Sequence, residues 1–209
     1  MKQPDPQYSL TALSELERLF EPVKEASLLK EIAHVDANYG AWIAAAPFFV
    51  LATAGPDGLD CSPRGDAPGF VHVLDPKTLL IPDRRGNNRI DSLRNLIEDP
   101  RVALLFLIPG VSETLRIMGR ATISTDPELC ASFAMQGKAP RCVLVIAVQQ
   151  VFFQCAKALV RSKLWDPSLH VERASLPTAG KILAEISGGK VGGEEHDRLA
   201  PARMMQTIY

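Results

Sequence analysis

No uninterrupted apolar run of the roughly 18 residues that a membrane span needs occurs anywhere in the 209-residue chain. The first residues, MKQPDPQYSL, lack the apolar core of a signal peptide. A cytoplasmic protein without a membrane partner is therefore expected. Charge of one sign is also lacking. With Lys+Arg 23 against Asp+Glu 24, the net charge of −1 gives no field for coating nucleic acid or an anionic bilayer. Cys61, Cys130, Cys142 and Cys155 form no C-x-x-C pair, and His34, His72, His170 and His196 stand alone. Neither set has zinc spacing, so no protein metal site and no disulfide framework is expected. The cysteines read as small apolar fillers. There is no G-x-G-x-x-G after a strand and no G-x-x-x-x-G-K-[ST], which removes the dinucleotide-fold and P-loop readings. No Ser-His-Asp or Cys-His set stands out, and the sequence selects no general acid or base.

What is present is enough apolar residue, 46%, for a sizeable core. Leu10, Leu13, Leu16, Leu19 and Phe20 recur at helical spacing and predict one or two short helices over 9–33, divided at Pro22. Asp36 reads as the N-cap of a third helix that Pro47 ends, with Trp42 in the core. The period then changes. Strands are expected at 48–53, along 61–69, in GFVHVLD and TLLIP, and at 101–108, 113–125 and 142–155. AGPDGL (54–59) reads as a hairpin turn, and helices are expected over 88–97 and 126–135. A short basic helix follows in AKALVRSKLWDPS, another over 177–187, and then a Gly-rich, mixed tail. Strands at short spacing with few long helices between them argue for a closed or half-closed antiparallel barrel rather than a doubly wound sheet.

Two pieces carry chemistry. In DRRGNNR, Arg84, Arg85 and Arg89 precede or enter the first turn of the 88–97 helix, a place without acids. Cations there oppose the helix dipole, so either an anion sits among them or the turn is a solvated arginine-rich one. In CSPRGDAPG, Pro63, Arg64, Gly65 and Asp66 suit ladder pairing poorly. Gly65 would let a ligand or another backbone come close, while Arg64 and Asp66 are either a plain surface ion pair or part of a polar cleft.

The order of these pieces, with DPRVALLF (99–106) and the G-R-A of ETLRIMGRATI, resembles the flavin-binding split barrel of the pyridoxamine 5′-phosphate oxidase family over roughly 45–165. The resemblance implies an α+β fold, a six-stranded antiparallel FMN-binding β-barrel with peripheral helices. It implies a 1–44 helical extension, a 45–165 core, and a 166–209 extension packing on the barrel or on a partner subunit. It also implies a homodimer with flavin sites at the subunit interface. Asn88 and Arg89 match the family's phosphate-holding helix start, with Arg84 and Arg85 just before them. Ile81, Pro82 and Asp83 match the strand beside the isoalloxazine ring, and Arg64, Gly65 and Asp66 the strand at its polar edge. Glu113 and Thr114 match a contact from the second subunit. Gln154, Cys155, Arg161, Ser162 and Trp165 match the segment closing the site.

Asn87-Asn88-Arg89 stands where the family has Ser-Arg-Lys, which moves phosphate contacts towards Arg84 or Arg85. RSKLWDP replaces the oxidase's Arg-Leu-x-Pro, so a true vitamin B6 oxidase is not the expectation. The implied activity is an FMN-dependent oxidoreductase acting on an unidentified small molecule, with Arg64 or Lys157 stabilising the reduced ring. The alternative is a non-catalytic barrel that holds flavin, deazaflavin or haem.

Overall fold

The computed structural model describes residues 3–209, in two compact units, divided between Glu31 and Ile32. The first holds two short helices, α1 (Leu13–Glu17) and α2 (Glu25–Leu29), on either side of Pro22. Neither has a buried residue.

The second unit begins with α3 (Ala37–Ala45), where the Asp36 carboxylate accepts the Tyr39 N–H at 2.8 Å as its N-cap. Seven strands follow: β1 (Phe48–Gly55), β2 (Gly58–Gly65), β3 (His72–Asp75), β4 (Thr78–Pro82), β5 (Arg101–Leu107), β6 (Thr114–Ser124) and β7 (Val143–Gln154). They make one antiparallel sheet in the order β2-β1-β5-β6-β7-β4-β3. The expectation of six strands is corrected to seven, because the 72–75 and 78–82 segments pair with each other as a hairpin at the sheet margin.

The helices between and after the strands are α4 (Asp91–Glu98), α5 (Pro127–Ser132), α6 (Lys157–Ser162), α7 (Ala179–Ile186) and α8 (Glu194–Thr207). Period-2 alternation builds the interior. Phe49 and Leu51 of β1, Val102, Leu104 and Phe106 of β5, and Leu115, Ile117 and Ala121 of β6 are buried together. Opposite faces of these strands carry the more exposed residues.

Three elements depart from the sequence reading. The strand expected along 61–69 stops at Gly65, and Asp66 leaves the ladder to donate its N–H to Pro47 O at 3.1 Å. The helix expected from residue 88 starts at Asp91, because Asn88 takes a left-handed φ of 60° and Asn87 Oδ1 accepts the Arg89 N–H at 2.9 Å. The mixed tail holds α8, which apolar periodicity did not reveal because the helix buries no residue and so has no apolar stripe.

The Arg64 guanidinium at the end of edge strand β2 lies 2.5 Å from the carboxylate of Asp83, which follows β4. In sheet order β2 and β4 are near opposite margins. The sheet therefore curls until its margins face each other, and the segments leaving them meet.

Candidate functional site

Residues from both margins enclose a cleft of about 810 Å³, within the range of about 300–1,000 Å³ common for small-molecule sites. From the β2 side come Arg64 and Gly65; from the β4 side come Pro82, Asp83, Arg84, Arg85, Gly86, Asn87, Asn88 and Arg89. Helix α4 holds the arginine turn in place. Its Ser92 hydroxyl donates to Asp60 Oδ2 of β2 at 2.5 Å, Asn95 donates to Thr53 Oγ1 of β1 at 3.1 Å, and Leu96 enters the core.

Charge is uneven along the lining. Arg64, Arg84, Arg85, Arg89, Lys138 and Arg141 face a single lining carboxylate side chain, that of Asp83. Arg84 is already committed: its Nε donates to Asp66 at 2.7 Å and its Nη1 to Phe133 O at 2.5 Å. Arg89 pairs with Asp91 in the first turn of α4. The helix start is thus not free of acids, as the residue-88 boundary had implied. Arg85 and Arg141 have no carboxylate partner among the described residues. Arg64 reaches Asp83 through Nη1, yet its Nε is buried without any hydrogen-bond partner. A buried guanidinium N–H left unsatisfied costs free energy unless a ligand accepts from it.

The Asp66 side chain is 2% exposed. Burial pushes its carboxyl upward, but the Tyr209 hydroxyl at 2.8 Å, the Ala67 N–H at 2.8 Å and Arg84 outweigh this and hold it below the usual range. The same bond raises the Tyr209 phenol. Cys142, on the cleft floor, is pushed up to about 11, first by burial and then by Asp83 and Cys130. Its thiol is mostly protonated at neutral pH and so reacts slowly.

The structure therefore brings together Arg64, Gly65, Pro82, Asp83, Arg84, Arg85, Asn87, Asn88 and Arg89 on one cleft, with Asp66 behind them in an adjoining pocket. Ile81 lies under the cleft in the core, 2% exposed. Glu113, Thr114, Gln154, Cys155, Arg161, Ser162 and Trp165 line neither cavity. Thr114 pairs with Gln154 across β6 and β7, and the Trp165 indole donates to Val111 O at 2.8 Å.

The sequence reading missed Lys138, Arg141, Cys142 and Tyr209, which reach the cleft from the α5–β7 loop and from beyond α8. No local pattern marks them, since only the folded chain carries residues so far apart in sequence to one place. Among the described residues no cluster of three or more His, Cys, Asp or Glu could hold a metal, and no helix is long and apolar enough to cross a membrane.

Comparison with known proteins places these observations. The sequence model of the pyridoxamine 5′-phosphate oxidase family matches residues 35–155. No curated protein matches the chain. Among solved structures, HupZ of Group A Streptococcus is 17% identical, with 57% of this chain and 93% of that one aligned at a TM-score of 0.46. A candidate pyridoxamine 5′-phosphate oxidase of Lactobacillus delbrueckii is 19% identical, over 58% and 95%, at 0.45. An FMN-binding protein of Syntrophomonas wolfei is 9% identical, over 68% and 97%, at 0.44.

Proposed function

Because the chain belongs to the pyridoxamine 5′-phosphate oxidase family, we propose that it binds FMN in the cleft between the facing sheet margins and uses it as an oxidoreductase on a small molecule. The observation that carries this reading is the unsatisfied, buried Nε of Arg64 in a cleft with six cationic side chains and one carboxylate side chain. That donor set fits a phosphorylated ligand with a polar ring edge. Arg85 and Arg89, with the amides of Asn87 and Asn88, would hold the phosphate, helped by Arg141 across the cleft. Arg64 would donate to the ring edge. Arg84 would act indirectly, by keeping Asp66 in place. Bound FMN supplies the two-electron chemistry, and the protein's part is to bind, orient and shield it.

In this reading the active form is a homodimer. Glu113, Thr114, Gln154, Cys155, Arg161, Ser162 and Trp165 would serve the site of the second copy. The haem alternative is not favoured, because no histidine lines the cleft. A deazaflavin would call on the same arginines.

Absorbance of the purified protein, incubated with FMN and desalted, tests the assignment. Flavin bands with FMN released on denaturation are expected; a colourless protein or a Soret band overturns it. Replacing both Arg85 and Arg89 by Ala removes two charge-assisted contacts of about 1.5–3 kcal/mol each, so affinity should fall by at least a hundredfold. Unchanged retention would show that the phosphate lies elsewhere. Reduction of the bound flavin by NADH or NADPH then separates an enzyme from a flavin store.

A further inference from the structure

Beside the main cleft lies a second pocket of about 560 Å³. The two share Gly65, Arg84, Arg85, Gly86 and Tyr209 as walls. Of these, Tyr209 alone comes from the segment following α8. Its hydroxyl donates to Asp66 Oδ1 at 2.8 Å, its backbone oxygen accepts from Lys138 Nζ at 2.8 Å, and the Arg84 guanidinium lies 5.8 Å from its ring centroid. One residue thus ties together the ends of β2 and β4 and the loop after α5.

The rest of that segment is held differently. The start of α8 is fixed on α7, where Gly180 N–H donates to Asp197 Oδ1 at 2.7 Å and Gly193 N–H donates to Gly180 O at 2.8 Å. Pro201 lies inside α8, where it leaves the helix ladder short of one N–H. Beyond it, Met204, Met205 and Ile208 are 60%, 69% and 49% exposed. So little apolar burial cannot seat the segment. Its attachment rests on the polar grip around Tyr209.

We propose that residues 202–209 form a strap over the cleft, hinged at Pro201 and latched by Tyr209, whose release joins the two cavities and admits ligand. Tyr209 then gates the site and positions Asp66 and Arg84. The gate rests on the cleft assignment above, but it can be read without flavin.

Cys142 on the cleft floor is buried, as is Cys130, which lines neither cavity, while Cys61 and Cys155 are exposed. In the full chain freed of flavin, alkylation by N-ethylmaleimide followed peptide by peptide reports all four. Tyr209→Phe keeps the ring and removes the hydrogen bond to Asp66. It should speed labelling of Cys142 about tenfold, and Tyr209→Ala should do so further, with Cys130 unchanged. Unchanged Cys142 labelling overturns the latch, and so does an equal rise at Cys130, which would signal general loosening. Saturating FMN added to the wild-type chain should slow Cys142 labelling. If it does not, the flavin assignment fails while the flavin-free comparison still decides the strap.

Discussion

Asp66 shows how one side chain serves both the fold and the site. Its carboxylate is almost wholly buried against Arg84, Tyr209 and the Ala67 N–H. Removing one partner of such a pair strands the other, at about 3–5 kcal/mol. Asp66→Ala should therefore lower the melting temperature at pH 7 by several degrees. The folded-state carboxyl is held below its ordinary value, so its contribution is complete above about pH 4 and is lost as pH falls through the lowered value. The gap between wild type and variant should accordingly narrow in melts run below pH 4. A gap that stays constant or widens there would contradict the pairing. Arg64 makes the complementary case. Its neighbour Asp83 satisfies one end of the guanidinium and leaves Nε as the donor that a ligand must meet.

At the scale of elements, Gly119 in the G-R-A pattern has a steric reason to be glycine. A Cβ there would come within 2.3 Å of Ala147 O on β7 and 3.1 Å of Ile146 Cγ2. The register between β6 and β7 also shifts at Met118/Gly119. Backbone on a central strand has little freedom to move aside. Gly119→Ala should destabilise by about 1–3 kcal/mol in urea or thermal unfolding, and a neutral result would refute the close approach. Gly180 plays the same part between α7 and α8, where a Cβ would meet Gly193 O at 2.3 Å and Asp197 Oδ2 at 2.6 Å. Gly180→Ala should loosen α8 and so raise trypsin cleavage after Arg203, while the melting of the sheet changes little.

At the scale of the whole molecule, the curled sheet leaves its two margins facing across a cationic cleft, and a ligand that bridges them must stabilise the fold. FMN at one hundred times its Kd should add about 2.7 kcal/mol, read as a higher melting temperature that depends on FMN concentration. A melting temperature indifferent to FMN would remove the cofactor from the cleft. The proposed pairing of two chains is checked by light scattering on a sizing column, where the mass of two chains is expected.

The strands, their antiparallel pairing and the arginine turn were legible in the sequence because they rest on local causes. These are alternating apolar residues, glycine- and proline-bearing turns, and an Asp N-cap at Asp36. The grouping of residues 64–66 with 83–89 was legible too, through the family pattern. Two things were not. The helix at 194–207 buries no residue and so carries no apolar period to read, and Pro201 lies inside it. The Tyr209 contact joins residues 143 positions apart, through a hydroxyl whose partner no local rule predicts. Local propensity and period are written residue by residue. The closing of the sheet, the unsatisfied Arg64 N–H and the strap over the cleft come from long-range packing, which only the tertiary structure decides.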